Sequence, residues 1–323
     1  MGIAVIIVGI VMMLVAVITM MKKSTREGAG TWLVEKPLRI WVVPCLMLAY
    51  YSIMSAAVAQ WEPNLFVLLA VYFGCPTLLL YLTGPKSDET CTRRDLTINF
   101  AVVLWIWLLI ELKIVPVNWL RVQFGSARPT ALPLGVYAAI IYALIALSGW
   151  RRFGLKCDLS FKKSDLLPTV ATFGVLGATL LSITLSTGLT TVGIAKVITV
   201  NALALGLPLA IAVPIAVCIA VPMIFASIGV VEEILFRDAI QNLLRHRLTP
   251  ICALIVASVI FGLAHVNKKA LGFEVPNWPY AGVATIAGLG YGFVFWKTNS
   301  VMASATVHAM VDAMWILFLR GSK

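Results

Sequence analysis

The stretch LPLAIAVPIAVCIAVPMIFASIG at residues 207–229 contains no Asp, Glu, Lys or Arg. A helix needs about 20 apolar residues to cross a bilayer, so this stretch predicts a transmembrane helix. The whole chain has the same character: 61% of its 323 residues are hydrophobic, 12% are charged, and the mean hydropathy is +0.97. Soluble domains carry about 25% charged residues. The composition excludes a disordered chain, a nucleic-acid-binding module and a secreted disulfide scaffold, and predicts an all-α polytopic membrane helical bundle.

Ten apolar stretches are long enough to be spans, which predicts about ten transmembrane helices. They lie at residues 2–21, 40–59, 65–83, 96–112, 132–150, 166–186, 207–229, 250–266, 279–296 and 301–319. The segment 188–206 is apolar but rich in Gly and Thr. It fits either a re-entrant piece or a complete crossing, and a complete crossing would invert every later span.

Positive charges predict the orientation, because Lys and Arg concentrate in cytoplasmic loops. With the amino terminus outside, the inner loops hold 17 of the 25 Lys and Arg residues. We therefore expect both termini outside. The net charge of +11 fits loops that lie against anionic membrane lipid, and we expect no nucleic-acid partner.

The composition also divides the chain into two parts. Residues 1–165 carry large apolar and aromatic side chains and few polar residues at membrane depth, and their role is open. Residues 166–323 contain all three histidines, a pair of adjacent acids and most of the Gly-rich and Pro-rich helices. We therefore expect the chemistry in the second part.

The first polar cluster is Glu232-Glu233 with Arg237, at the end of the seventh span. An ionisable group at membrane depth costs about 2.5 to 3.5 kcal/mol and indicates a functional site. Glu233 and Arg237 have the i, i+4 spacing of a helical ion pair, whereas Glu232 points about 100° away and could face a cavity as a base. The alternative is a helix that leaves the membrane with interfacial charges and continues as a surface-lying amphipathic helix, whose apolar face would be Phe236, Ile240, Leu243 and Leu244.

The other two clusters contain histidine. Phe261 and His265 close the eighth span, and His308 and Asp312 share one face of the tenth. His246 lies between two arginines and reads as a solvated basic residue. A stripe of small residues in the ninth span predicts close helix packing, which would bring the two histidine helices together; it consists of Ala284, Gly288 and Gly292.

Together these groups suit hydrolysis of an amide bond. Glu232 with His265 could hold and deprotonate a water molecule, which is general-base catalysis. His308 and the Asp312 group could stabilise the oxyanion that forms on the carbonyl. The sequence contains no G-x-S-x-G motif and places no serine or cysteine as a nucleophile. We expect no metal and no cofactor.

The order Glu-Glu-x-x-x-Arg, Phe-x-x-x-His, His-x-x-x-Asp on successive membrane helices resembles the CPBP family, which includes CAAX prenyl endopeptidases and bacteriocin-processing and self-immunity proteins. The resemblance covers roughly residues 166–320 and implies a glutamic-type intramembrane protease. It implies that Glu232 and His265 activate the water, and that His308 and the residue at 312 form the oxyanion site. It gives Glu233, Arg237 and Phe261 supporting roles.

One position departs from the best-studied prenyl endopeptidases of that family, which have Asn where this chain has Asp312; many bacterial relatives carry Asp there. An ionised carboxylate cannot donate a hydrogen bond to an oxyanion. Asp312 must therefore either be protonated or act by orienting His308.

Three other classes stay open from the sequence. Glu232 with two histidines is a reasonable zinc set, although no H-E-x-x-H pair occurs. A non-enzymatic immunity or scaffold protein is the second class, and a transporter with broken helices is the third, although no inverted repeat is visible. The expected partners are membrane lipid and a peptide or protein substrate, either prenylated or of leader type. Short loops favour a prokaryotic cell membrane, and the oligomeric state is open.

Overall fold

The computed structural model describes residues 2–86, 92–122, 130–157, 160–269 and 272–321. The chain divides into two compact units, Met1–Leu159 and Ser160–Lys323. Both units are built mainly from helices, so the predicted all-α class is confirmed.

The first unit contains helices α1 to α6. Their bounds are Gly2–Met21, Lys23–Glu35, Val42–Ala57, Pro63–Thr83, Arg93–Glu111 and Leu134–Leu144. A 3₁₀ turn at Pro37–Trp41 leads into α3, and a π-helical turn at Ile145–Trp150 continues α6. Strands β1 (Leu120–Val122) and β2 (Thr130–Leu132) form a short antiparallel ladder in which Arg121 pairs with Ala131.

Buried charges in the first unit stabilise helix ends. The Arg26 guanidinium is 1% exposed and donates to the carbonyl oxygens of Met20 and Met21 at the end of α1, where carbonyls lack helical partners. Asp95 closes a capping box at the start of α5 and pairs with the buried Arg151. Each of these buried charges is therefore paired within the fold.

The second unit contains helices α7 to α14. Their bounds are Lys163–Ser186, Lys196–Ala204, Leu209–Ile224, Val230–Glu233, Asn242–Arg245, Pro250–Leu263, Trp278–Thr298 and Val301–Phe318. Strands β3 (Thr190–Val192) and β4 (Leu319–Gly321) pair antiparallel, with Thr191 opposite Arg320.

Six helical segments among the described residues are long and apolar enough to cross a membrane. They are Ala4–Met21, Pro37–Ala57, Pro63–Thr83, Lys163–Ser186, Leu209–Arg245 and Val301–Phe318. Two shorter apolar helices, Leu134–Trp150 and Pro250–Leu263, accompany them. The fold class is therefore an all-α membrane bundle.

The segment 188–206 is not one long helix. It forms β3 and the nine-residue α8, which is only about 14 Å long and cannot cross a bilayer by itself. Ile198 and Ala202 of α8 pack in one core with Ala313 and Leu317 of α14. The segment is thus part of the core around the end of α14.

The helical segment Leu209–Arg245 carries the two adjacent acids and is not uniformly α-helical. π-helical turns at Phe225–Gly229 and Ile234–Gln241 flank α10, which holds Glu232 and Glu233. π-helical turns inside α-helices are rare and often lie at functional sites. Pro208 lies at the N-cap of α9, whereas Pro214 and Pro222 lie inside it.

The segment beyond Arg237 corrects the expectation of a surface-lying amphipathic helix. The first part of its polar side is buried, since Asp238 and Gln241 are both 0% exposed, whereas Arg245 is half-buried and Arg247 is exposed. The physical reason is that the two buried groups find partners inside. Asn242 Nδ2 donates to Asp238 Oδ1 at 3.0 Å, and Gln241 Nε2 donates to the Gly292 carbonyl at 3.2 Å.

Small residues bring the helices of the second unit into close contact, as the stripe in α13 predicted. A Cβ atom at Gly288 would lie 3.3 Å from Ser258 Cα of α12. A Cβ atom at Gly229 would lie 2.9 Å from the carbonyl oxygen of Ala305, which brings the acid-bearing helix against α14. These approaches need glycine, because a side chain would separate the helices.

Candidate active site

The second unit encloses a cavity of about 280 Å³ whose wall is part polar and part apolar. The polar lining groups are Glu232, His265, Lys268, Tyr280, Tyr291, His308, Asp312 and Trp315. The apolar lining residues are Leu180, Ile228, Phe261, Val283, Ala284, Ala287, Val311 and Ile316. All four residues predicted to be catalytic therefore meet at one cavity.

Glu233 lies behind this wall and is fully buried. Its side chain is 0% exposed, and Arg237 Nε donates to its Oε2 at 3.0 Å, as the i, i+4 spacing predicted. Its Oε1 lies 2.9 Å from His308 Nδ1, and the Ser304 hydroxyl donates to its Oε2. The carboxylate thus joins α10 and the following π-helical turn to α14.

Glu232 points the other way, into the cavity. Its side chain is 24% exposed, and Oε2 has no hydrogen-bond partner among the described residues. The nearest cationic or potentially cationic group is His308 Nε2, at 3.9 Å from Oε2, which is beyond hydrogen-bond distance. Because the side chain lines the cavity and is partly exposed there, the Glu232 carboxylate can accept a proton from a molecule in the cavity.

His265 lies in the turn just after α12, which ends at Leu263. Its Nδ1 is 2.9 Å from the carbonyl oxygen of Phe261. A carbonyl can only accept, so Nδ1 carries the hydrogen, and in the neutral ring Nε2 is left with a lone pair. The local turn therefore fixes the tautomer that presents an acceptor nitrogen.

His308 is held from two directions. Because a carboxylate only accepts, the contact with Glu233 makes Nδ1 the donor and directs Nε2 towards the cavity. There Nε2 lies 3.5 Å from Asp312 Oδ2. The Tyr291 ring stacks on the imidazole, with centroids 4.4 Å apart and planes 13° apart.

Phe261 is the apolar centre of the site. Its ring meets the rings of His265 and His308 at centroid distances of 4.6 and 5.8 Å. The Arg237 guanidinium lies over it, with Cζ 5.3 Å from the centroid. Phe261 therefore separates the two imidazoles from the buried cation and fixes their spacing.

Sequence reasoning missed Ser304 and Tyr291, and it did not identify the contact between Glu233 and His308. Ser304 could have been found, because it precedes His308 by four residues and shares its helix face. Tyr291 gives no such signal, since it is one aromatic residue among many in α13. His246 lies away from the cavity lining.

Among the described residues, no group of three or more His, Cys, Asp or Glu side chains is arranged to hold a metal ion.

Comparison with known proteins gives one match. Residues 214–314 match the family model described as Rce1-like, type II CAAX prenyl endopeptidase Rce1-like. The predicted resemblance to the CPBP family is confirmed for this segment, which includes Glu232, His265 and His308. The match indicates a CAAX-type protease in an integral membrane protein. No curated protein and no solved structure matches the chain.

Replacing Glu233 by Gln tests its anchoring position. Glu233 is the ion-pair partner of a fully buried Arg237, so the variant leaves that cation uncompensated and also weakens the hold on His308. We expect a loss of about 3 to 5 kcal/mol in stability, measured by thermal unfolding in detergent. The control is Lys269→Gln, which breaks a 2.6 Å pair with Glu274 that is 70% and 79% exposed; it should cost under about 1 kcal/mol. Equal melting temperatures for Glu233→Gln and wild type would contradict the anchoring position.

Proposed function

We propose that this protein is a glutamic-type intramembrane endopeptidase that hydrolyses a peptide bond with a water molecule activated by Glu232 and His265. One observation carries the proposal: the partly exposed Glu232 carboxylate and His265, whose Nε2 keeps a lone pair, line the same cavity. The match to the Rce1-like family supports the same reaction class.

The first step is activation of the water. A water molecule between Glu232 and His265 donates its two hydrogens to these acceptors, which leaves an oxygen lone pair free to attack. As the oxygen bonds to the carbonyl carbon, one proton passes to the Glu232–His265 pair. When the carbon–nitrogen bond breaks, that proton goes to the leaving amine, so the enzyme returns to its starting state.

The second role is stabilisation of the oxyanion. In its doubly protonated form, His308 donates from Nε2 into the cavity while its Nδ1–H donates to Glu233. Asp312 Oδ2 lies 3.5 Å from Nε2, so we propose that the Asp312 carboxyl takes one of two roles: it donates to the oxyanion in its protonated form, or it orients His308 as a carboxylate. Glu233, Arg237 and Phe261 support these groups from behind the cavity wall.

The proposal also covers the membrane topology, the two parts of the chain and the substrate. About ten helices cross the membrane, with the termini outside. Residues 166–323 form the protease core, and residues 1–165 add transmembrane helices of a separate, unassigned role. The substrate is a membrane-associated peptide or protein, of prenylated or leader type, and the membrane is that of a prokaryotic cell. No cofactor takes part.

Glu232→Gln tests the base. We expect turnover to fall about 10²- to 10⁴-fold, because Gln has nearly the same shape but cannot accept the proton. Protein level and melting temperature should stay near wild type, since Glu232 has no ion pair within hydrogen-bond distance. The substrate is found by comparing membrane-protein termini in wild-type, deletion and Glu232→Gln cells, and rates are then measured on the purified enzyme.

Three results would contradict this mechanism. Wild-type activity in purified Glu232→Gln would remove Glu232 as the base. Activity that is lost to a chelator and restored by zinc would favour a zinc protease. A phenotype that is unchanged in Glu232→Gln cells, with no terminus that depends on the protein, would favour a non-enzymatic immunity or scaffold protein.

Asp312→Asn separates the two roles open to Asp312. If the carboxyl donates in its protonated form, Asn keeps an N–H donor, so the variant should match wild type at low pH and retain activity at high pH, where the wild type declines. If the carboxylate instead orients His308 by charge, loss of a charge-assisted hydrogen bond of about 1.5 to 3 kcal/mol should lower the rate about ten- to a hundred-fold at every pH. The measurement is kcat/KM against pH on one peptide. No effect at any pH would remove Asp312 from the site.

A further inference from the structure

Ser304 is the buried group of the site to which the proposed reaction assigns no role. It lies one helical turn before His308 on α14, and it is 0% exposed. A serine next to a histidine suggests a nucleophile, but Ser304 is not part of the cavity lining. Its hydroxyl cannot reach a substrate there, so it must act through a neighbour.

The neighbour is the Glu233 carboxylate. The Ser304 hydroxyl has one hydrogen and two acceptors nearby: Glu233 Oε2, and the Tyr291 carbonyl oxygen at 2.9 Å. The Tyr291 carbonyl lies inside α13, where it is available to the helix's own hydrogen-bond ladder. The hydroxyl therefore donates its hydrogen to the carboxylate, where the hydrogen bond is charge-assisted.

This contact completes a set of three donors around one carboxylate. Arg237 Nε and the Ser304 hydroxyl both meet Oε2, which leaves Oε1 for His308 Nδ1. With Oε2 fixed from two sides, the carboxylate cannot rotate away from the imidazole. The orientation of His308, and with it the direction of Nε2, thus depends on Ser304.

We propose that Ser304 is a positioning residue whose hydroxyl fixes the Glu233 carboxylate against His308 Nδ1 and so keeps His308 Nε2 directed into the cavity. The catalytic part of this inference rests on the proposed function, whereas the contact itself can be tested without any substrate.

The test uses the small number of histidines. The chain contains three histidines, so protein labelled with ¹⁵N-histidine gives three sets of imidazole resonances. Variants of His246 and His265 identify two of these sets, and the third set then belongs to His308. We expect Ser304→Ala to shift the His308 Nδ1 resonance and to leave the His265 resonances in place. The matched control is Ser258→Ala, which removes another 0% exposed serine whose hydroxyl bonds only its own helix, at 2.7 Å from the Leu254 carbonyl. This control should move neither imidazole.

Kinetics on the substrate found for the wild type provide the second readout. Ser304→Ala should lower kcat about tenfold with little change in KM, because a misdirected Nε2 reduces stabilisation of the transition state and does not affect substrate binding. Ser304→Thr, which keeps the hydroxyl, should restore the His308 resonance and most of kcat.

An unshifted His308 resonance in Ser304→Ala, or the same shift in Ser258→Ala, would overturn the inference. A wild type without turnover, together with a His308 shift confined to Ser304→Ala, would refute the proposed function and leave the contact standing.

Discussion

A carboxylate with no solvent exposure, Glu233, is the constraint on which the second unit depends. Burial of a charge costs several kcal/mol unless it is paired and hydrogen-bonded. Here the compensation comes from Arg237 on the same helix and from Ser304 and His308 on α14. Because those donors come from two helices, satisfying one charge also fixes the relation between the helices that carry the site.

The same arrangement separates two adjacent acids by function. Neighbouring residues on a helix point about 100° apart, so a helix that buries Glu233 turns Glu232 to a different side, and that side is the cavity. The π-helical turn that follows α10 also buries the polar groups Asp238 and Gln241. These buried polar groups lie outside the cavity lining, whereas Glu232 lies on it.

Local spacing made part of this site predictable. The Glu233–Arg237 pair follows from an i, i+4 pattern, and the contact of α12 with α13 follows from small residues at four-residue intervals. The link between Glu233 and His308 spans 75 residues and has no local signature, so it required the packed helices. The surface-lying helix was mispredicted for a similar reason: the amphipathic pattern is real, but Asp238 on its polar side finds a partner inside the protein. The catalytic roles of Glu232, His265, His308 and Asp312 stay predictions.

Glu232 is the accessible, reactive acid of the pair, and Glu233 is the anchored one. This difference can be measured directly with a membrane-permeant carbodiimide, which modifies accessible carboxyl groups, followed by fragment-ion mass spectrometry that resolves the two neighbours. We expect modification of Glu232, with loss of activity at the same rate, while Glu233 stays unmodified in the folded protein. Modification of Glu233 at a rate equal to that of Glu232, or resistance of Glu232, would contradict it.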